Sequence, residues 1–173
     1  ALDWGTTRLR AFRMAEDGAI LERRDAPAGI RAIDDGDFED AFHTVIGDWL
    51  PATGEPAPLI VLGGMIGSRQ GWFEAPYVPC PADPATLATH AIAASTESGH
   101  ALWIAPGLSL SEDGRADVMR GEELQIFGAL EQLGPGRHLL CLPGTHSKWA
   151  LLEDGIIRDF HTYMTGELFD VLR

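Results

Sequence analysis

One ordered set of strand and turn signals occurs twice in this chain, and this repeat limits the folds available to it. The first copy runs from residue 2 to residue 50, and the second begins at residue 138. Each reads as a strand, a Gly-Thr turn, a strand, an acidic Asp-Gly hairpin and a third strand, followed by a helix. A duplication of this kind places the two Gly-Thr turns across a cleft from each other. Because Asp-Gly hairpins are common, a chance repeat is the alternative.

Hydrophobic periodicity and turn residues predict an α/β fold with a mixed five-stranded sheet flanked by helices. The element order is that of a ribonuclease-H-like half followed by the first strands of a second such half. We therefore place a first domain at residues 1–134 and the truncated start of a second at 135–173. Strands are predicted at 2–4, 8–14, 19–24, 59–62, 101–105, 138–142, 149–152 and 156–163. Helices are predicted at 37–50, 84–96, 117–133 and 166–172, with an ordered loop at 65–81.

The charge of the chain narrows the classes of partner. Its net charge is −13, from 26 acidic and 13 basic residues, and this argues against a nucleic-acid partner. A few local Arg or Lys residues can still dominate one cleft, so an anionic small molecule is not excluded. The two cysteines, Cys80 and Cys141, fit a reducing cytosol. We expect no signal peptide and no membrane span, and we expect residues in front of Ala1, which reads like the middle of a strand.

The first Gly-Thr turn has the residue types of a phosphate-binding turn. Gly5 allows a tight turn whose backbone N–H groups can donate to phosphate oxygens, and Thr6 and Thr7 add hydroxyl donors. Asp3, just before the turn, can bind Mg²⁺ directly or through water. The alternative is a plain hairpin with an Asx turn.

The second Gly-Thr turn offers a similar set of donors. Gly144 and Thr145 repeat the turn, and Lys148 adds a positive charge that could reach a phosphate. His146 could donate a hydrogen bond to the ligand or brace the turn. We therefore predict a second phosphate-binding segment here.

A polar, glycine-rich loop follows the buried-type strand at 59–62, at the strand end where open α/β sheets bind ligands. Arg69 can hold a carboxylate through two parallel hydrogen bonds. Ser68 and Gln70 can read sugar hydroxyls, Trp72 can form an apolar wall, and Gly67 is assigned to the same substrate-binding segment. The alternative is a surface loop with structural glycines and an ion-paired Arg69.

Several distinctive blocks of sequence lie in order along nearly the whole chain, at residues 65–72, 74–77, 79–81, 117–123, 142–149 and 164–169. Together they resemble the 2-dehydro-3-deoxygalactonokinase family of the actin-like ATPase and sugar kinase superfamily. The resemblance implies transfer of the ATP γ-phosphoryl to the 6-hydroxyl of 2-dehydro-3-deoxy-D-galactonate, with Mg²⁺, in cytoplasmic galactonate breakdown. Leu142 and Pro143 stand where the superfamily usually has an Asp, which puts metal binding at the second turn in doubt.

The resemblance also implies partners and a missing part. The partners would be a sugar acid and ATP, with no nucleic acid and no membrane, and a homo-oligomer stays open. Family chains are longer, so we expect the rest to complete the second half and contact the adenosine. We therefore expect residues 1–173 alone to be a poor kinase.

A sugar kinase needs a general base for the attacking hydroxyl. Related sugar kinases take it from an Asp near the start of the last helix of the first half. Asp117 fits by residue type and is favoured, while Glu122 fits by its Gly-Glu context. The alternative is that Asp117 caps the helix and that Glu122 and Glu123 favour its positive end. Arg120 could hold the substrate carboxylate or balance the two glutamates.

Two other functions remain open. The first is a different sugar or sugar-acid kinase of the same fold, which a panel of substrates would separate. The second is a non-catalytic sugar-acid-binding module. Such a module would bind its ligand without turnover of ATP, and it would tolerate amides at Asp117 and Glu122.

Overall fold

A computed structural model describes residues 1–34, 36–51, 57–112 and 114–173, and in these residues twelve strands and five α-helices form. None of the helices in this part of the chain has the length and apolar character that crossing a bilayer requires. The strands are β1 (Leu2–Trp4), β2 (Leu9–Met14), β3 (Ile20–Ala26), β4 (Ile60–Gly63), β5 (Tyr77–Pro79), β6 (Ile92–Ser95), β7 (Ala101–Ile104), β8 (Gly107–Glu112), β9 (Arg115–Met119), β10 (Arg137–Leu142), β11 (Ser147–Glu153) and β12 (Ile156–Tyr163). The α-helices are α1 (Phe38–Ile46), α2 (Pro84–His90), α3 (Glu122–Gly128), α4 (Leu130–Leu133) and α5 (Thr165–Leu172).

The chain divides into two compact units that are both discontinuous in sequence. The first unit holds Ala1–Ala75 and Ala91–Pro106, and the second holds Pro76–His90 and Gly107–Arg173. This division differs from the boundary between residues 134 and 135 that we predicted. The reason is that apolar residues of β5, β8 and β9 share one buried cluster with those of β11 and β12. The predicted boundary concerns the repeat of the fold, and it stays a prediction.

The first unit is built on a mixed six-stranded sheet with the order β3-β2-β1-β4-β7-β6. The first three strands are antiparallel neighbours, β4 runs parallel to β1, and β7 runs parallel to β4. Since β1 and β4 are parallel, their carboxyl ends lie side by side, and Asp3 is in register with Gly63. The segments that follow these two strands therefore begin next to each other.

Helix α1 packs on this sheet as its apolar period predicts. Its buried residues Phe38, Phe42, Val45 and Ile46 belong to the same cluster as the strand residues of the sheet. Asp37 is a residue type that the sequence favours as an N-cap, and this prediction is confirmed, because its carboxylate accepts a hydrogen bond from the Asp40 N–H at 3.0 Å. The α-helix ends at residue 46, and a 3-10 turn at Gly47–Trp49 replaces the last predicted residues.

The second unit contains two three-stranded sheets, β5-β8-β9 and β10-β11-β12. The Ala82–Ile157 bridge links the segment after β5 to β12, with N–O distances of 3.1 and 2.9 Å. Helices α3 and α4 contribute apolar side chains to the cluster between these elements. The antiparallel hairpin of β11 and β12 agrees with the strands predicted for the second copy of the repeat.

The helix predicted at 84–96 is wrong in its second half. Helix α2 ends at His90, and residues 92–95 form an edge strand that pairs antiparallel to β7. The sheet therefore has six strands rather than the predicted five. Alanine favours helices, but in the extended segment Ile92 and Ala94 pack against the buried cluster, so packing overrides propensity here.

The helix predicted at 117–133 also begins too early. Residues 115–119 form β9, whose alternating exposure and pairing with β8 are those of a strand, and the helices begin only at Glu122. The β8–β9 hairpin was missed. Its sequence signal was present, because Glu112-Asp113-Gly114 repeats the acidic Asp-Gly pattern of residues 16–18 and 153–155.

Candidate functional site

The first Gly-Thr turn keeps its backbone donors available. The Gly5 N–H closes the turn on the Arg8 carbonyl at 2.9 Å. The Gly5 and Thr6 carbonyls accept from the N–H groups of Ile30 and Arg31, at 3.0 and 3.2 Å, and both donors belong to the 3-10 turn at Ile30–Ala32. No acceptor within the described part of the chain takes the N–H of Thr6 or Thr7. The turn therefore presents two backbone donors, as an anion-binding turn requires.

Asp3 lies next to this turn and next to the start of the glycine-rich loop. One of its oxygens accepts from Arg10 Nη1 at 3.1 Å. Gly64 has φ +88°, and a Cβ there would lie 2.9 Å from the Trp4 carbonyl oxygen and 3.3 Å from Asp3 Oδ1. Glycine is required because the backbone of this segment passes so close to the end of β1.

The described residues contain no group of three or more His, Cys, Asp or Glu side chains arranged for a metal ion. Mg²⁺ in phosphate-binding proteins is commonly held by one or two carboxylates together with substrate phosphates. Asp3, beside a turn with available donors, fits that arrangement.

The loop after β4 is compact. The Trp72 N–H donates to the Ile66 carbonyl at 3.0 Å, and the Ala75 N–H donates to the Gly67 carbonyl at 2.9 Å. A Cβ on Gly71 would lie 2.1 Å from the Ile66 oxygen, so glycine is needed at this crossing. Residues 65–75 are therefore ordered, as predicted, by their own backbone hydrogen bonds, but the predicted loop at 65–81 is too long, because residues 77–79 form β5.

The side chains of this loop divide into exposed and packed groups. Arg69 is 88% exposed, and its Nε lies 3.5 Å from Glu74 Oε1. The Ser68 hydroxyl accepts from the Gln70 N–H at 3.3 Å. Trp72 is half-buried, with its ring centroid 5.7 Å from that of Phe42, so most of this ring contributes to the core. Arg69 is left as the exposed cation of the loop.

The second Gly-Thr turn lies against the start of α5. The Thr145 carbonyl accepts from the Glu167 N–H at 3.0 Å, and His146 Nε2 lies 2.6 Å from Glu167 Oε2. A Cβ on Gly166 would lie 2.5 Å from the Gly144 oxygen. Among the described residues, none accepts from the N–H of Thr145 or His146. This turn too presents backbone donors while its carbonyl is bonded on the other side.

The side-chain amine of Lys148 is not directed at the second Gly-Thr turn. Its amine donates to the Val118 carbonyl at 2.6 Å and to the Thr162 hydroxyl at 2.7 Å, and its side chain is only 8% exposed. Asp117 Oδ1 lies 4.0 Å away. The amine is therefore held between β9 and β12, inside the second unit.

Asp117 lies in the middle of β9, so its predicted place at a helix start is wrong. Its carboxylate accepts from the Thr162 N–H at 2.8 Å, the Thr162 hydroxyl at 2.6 Å and the Val118 N–H at 2.8 Å. With Lys148 nearby, this carboxylate is surrounded by donors. Thr162, which sequence reasoning missed, supplies two of them.

Arg120 is held against an aromatic ring in the second unit. Its guanidinium carbon lies 4.2 Å from the centroid of the Tyr77 ring, and Nη2 lies 3.4 Å from the Pro76 carbonyl. A Cβ on Gly107 would lie 2.6 Å from Tyr77 Cε1, so this glycine makes room for the ring. Sequence reasoning missed Tyr77 and Gly107, because the stack depends on the pairing of β5 with β8.

The two glutamates at the start of α3 have different surroundings. Glu122 is half-buried, and its carboxylate accepts from the Arg120 N–H at 3.1 Å. Glu123 is fully buried, and both of its oxygens accept from the Gly121 N–H at 2.8 Å. Burial raises the pKa of Glu123 to about 8. Glu122 thus lies at the positive end of a helix with access to solvent, which Glu123 lacks.

Comparison with known proteins decides the family. The sequence model described as 2-keto-3-deoxy-galactonokinase matches residues 3–173. The chain belongs to the 2-keto-3-deoxy-galactonokinase family. It is 46% identical over 174 residues to the probable 2-dehydro-3-deoxygalactonokinase DgoK1 of Rhizobium meliloti (strain 1021) and 40% identical over 172 residues to the 2-dehydro-3-deoxygalactonokinase of Escherichia coli (strain K12).

A solved structure supports the same relationship. A crystal structure of a Sinorhizobium meliloti protein assigned as a 2-dehydro-3-deoxygalactonokinase superposes with a TM-score of 0.82 at 42% sequence identity. The match covers 99% of this chain and 55% of that one, and both curated relatives of the 2-keto-3-deoxy-galactonokinase family show the same 99% and 55% shares. The chain therefore spans about half the length of the relatives it matches.

Proposed function

We propose that this chain contributes the first phosphate-binding and substrate-binding residues of a sugar-acid kinase. The observation that carries the proposal is the pair of Gly-Thr turns, each with bonded carbonyls and with backbone N–H groups that no described residue accepts from. The reaction would be attack by the 6-hydroxyl of 2-dehydro-3-deoxy-D-galactonate on the γ-phosphorus of ATP. A new O–P bond forms, the bond from the γ-phosphorus to the β,γ-bridging oxygen breaks, and ADP leaves.

The strand order of the first unit supports the finer fold assignment. Three antiparallel strands followed by two parallel ones, in the order β3-β2-β1-β4-β7, are the arrangement of a ribonuclease-H-like half. Strand β6 is then an addition at the edge. We assign the strands from β10 onward to the start of a second such half, because β10, β11 and β12 form the same antiparallel meander as β1, β2 and β3.

We assign phosphate binding to the turn donors and metal binding to Asp3. The N–H groups of Thr6, Thr7, Thr145 and His146 would bind phosphate oxygens, and Mg²⁺ would supply charge neutralisation where phosphates meet Asp3. Lys148 would act indirectly, because its amine is bonded to Val118 and Thr162.

Glu122 is the better candidate for the general base. It is half-buried and lies at the start of α3, and an accepting carboxylate oxygen must be able to reach the substrate hydroxyl. Asp117 accepts three hydrogen bonds and has Lys148 4.0 Å away, so both of its oxygens are already used. We therefore reverse the preference that the sequence suggested.

We assign recognition of the substrate carboxylate to Arg69 and Arg120. Arg69 is exposed and can rotate to form two parallel hydrogen bonds. Arg120 is preoriented by the Tyr77 ring, which reduces the side-chain entropy lost on binding. We place the enzyme in the cytoplasm, where ATP and Mg²⁺ are abundant and where cysteines such as Cys80 and Cys141, both free here, stay reduced.

The test is a coupled ADP-release assay on the intact protein with Mg-ATP and 2-dehydro-3-deoxygalactonate. The gluconate epimer and a neutral sugar are run beside it. Turnover with the galactonate-derived acid is expected. Turnover with another sugar alone would indicate a different kinase of this fold. Ligand binding without ADP release in folded protein would indicate a non-catalytic binding module and contradict the proposal.

A further inference from the structure

Two glycines outside the turns lie against the backbone of the turns themselves. Gly29 follows β3, and a Cβ built on it would lie 2.3 Å from the backbone N and C atoms of Thr7. The next residue, Ile30, donates its N–H to the Gly5 carbonyl at 3.0 Å. Gly29 is fully packed against the turn, so the backbone of residues 29–31 supports the first Gly-Thr turn.

The second unit repeats this arrangement with different residues. Gly166 follows β12, and its Cβ would lie 2.5 Å from the Gly144 oxygen and 2.9 Å from the Thr145 Cα. The next residue, Glu167, donates its N–H to the Thr145 carbonyl at 3.0 Å. Its carboxylate oxygen also lies 2.6 Å from His146 Nε2. We call residues 29–31 and 166–167 the turn-supporting segments.

Neither glycine is needed for the conformation of its own backbone. Gly29 has φ −66° and ψ 165°, an extended conformation that any residue adopts. Gly166 lies inside α5 and has no positive φ. In a helix, alanine is more favourable than glycine by about 1 kcal/mol. The close approach to the turn is therefore the reason that glycine is present at both positions.

We propose that Gly29 and Gly166 are positioning residues for phosphate binding, together with Glu167 through its contact to His146. By bonding the turn carbonyls, each turn-supporting segment fixes the peptide planes so that the neighbouring N–H groups remain available to a phosphate. A side chain at either glycine pushes the turn out of this orientation. The inference rests on the proposed function, because it assigns phosphates as the ligand of the turns.

The test compares G29A and G166A with the matched control G128A in the intact protein. Gly128 also lies in a helix, but a Cβ there meets nothing within 4 Å. Binding of tripolyphosphate and of Mg-ATP is measured by calorimetry, and KM for ATP and for the sugar acid is measured in the ADP-release assay. We expect about tenfold weaker binding of both phosphate probes for G29A and G166A, the loss that about 1.4 kcal/mol represents. KM for the sugar acid should change less than twofold, and G128A should bind like wild type.

Folding is checked separately, because the two close contacts are severe. If G29A or G166A fails to fold, the positioning role is tested with Glu167→Ala. This variant removes only the half-exposed contact to His146 and keeps the backbone hydrogen bond. We expect it to weaken Mg-ATP binding about threefold, as loss of one partly exposed charged contact implies. The exposed Asp170→Asn on the same helix is its charge control.

The outcomes separate the two proposals. Folded glycine variants that bind both probes as tightly as wild type overturn the positioning role alone. Equal loss of sugar-acid and ATP affinity also overturns it, because that pattern indicates general damage. If wild type itself binds neither probe, the kinase proposal fails, and the positioning role fails with it.

Discussion

At the scale of single residues, Asp117 and Glu122 show how hydrogen-bonding environment changes the chemistry of a carboxylate. Both lie near the start of the predicted helix at 117–133, so both were candidates for the general base. In the fold Asp117 belongs to a strand and is bonded by Thr162, a residue 45 positions away. The contact with Thr162 has no local sequence signal, whereas the strand that carries Asp117 had one in the acidic Asp-Gly pattern of residues 112–114.

We expect the main effect of D117N to be a lower free energy of unfolding rather than a lower kcat. The substitution removes the charge that faces the buried amine of Lys148, and loss of one partner of a buried ion pair costs about 3–5 kcal/mol. Urea unfolding measures the change. D159N is the matched control, because Asp159 pairs with Arg115 in a half-exposed ion pair, where about 1 kcal/mol or less is expected. Equal losses for the two variants would contradict the buried role of Asp117.

We expect E122Q to lower kcat by about 10²- to 10⁴-fold with little change in KM, since an amide cannot accept the hydroxyl proton. Its fold should be retained, because the glutamine oxygen can still accept from the Arg120 N–H. Steady-state kinetics and circular dichroism provide the two measurements. Normal turnover by E122Q would contradict the role of Glu122 and favour Asp117 as the general base.

At the scale of elements, prediction succeeded where one local signal dominated. Helix α1 was predicted from its capping residue and apolar face, and strand β4 from an apolar run that ends in glycine. It failed for β6, where the alanine-rich sequence favours a helix but pairing with β7 at the sheet edge determines the structure. The β8–β9 hairpin could have been found, because its Asp-Gly signal equals the two that were used.

The β6–β7 turn is fixed by a side chain of α1. The Glu39 carboxylate accepts from the Glu97 N–H at 2.7 Å and from the N–H and hydroxyl of Ser98, each at 3.1 Å. We expect E39A to raise amide hydrogen exchange in β6 and β7 by about tenfold or more, because hydrogen bonds to a charged acceptor contribute about 1.5–3 kcal/mol. D40A, at the exposed neighbouring position, should leave this exchange unchanged.

At the scale of the whole molecule, the two repeated meanders were predictable and the grouping of the elements was not. The repeated strand and turn signals correspond to β1–β3 and β10–β12, whereas the β5-β8-β9 sheet was missed. Asp3 and the start of the loop after β4 lie together, as the neighbouring carboxyl ends of parallel strands require. The two units could not be predicted from the sequence. Strands β5 and β8 pair across a separation of about thirty residues, and the composition does not change at the borders of the units.

Global stability should depend on pH through Glu123. Its pKa is about 8 in the fold against an ordinary value of 4.5, so the folded chain binds more protons than the unfolded chain between these values. Stability should therefore fall as pH rises through this window. We expect E123Q to remove this pH dependence. Near pH 8 the free energy of unfolding of E123Q should exceed that of wild type by a few kcal/mol. Urea unfolding from pH 5 to pH 9 measures it, with E131Q, at an exposed position of helix α4, as the control whose slope should follow wild type.

The discontinuous first unit has a consequence for synthesis on the ribosome. Strand β7 lies between β4 and β6 in the sheet, yet β6 leaves the ribosome first. Until residues 101–104 emerge, β6 has no neighbour to pair with, and the edge of β4 stays open. A nascent chain paused in this interval exposes an unpaired apolar strand edge, so it is the stage of synthesis at which chaperone contact and aggregation are most expected.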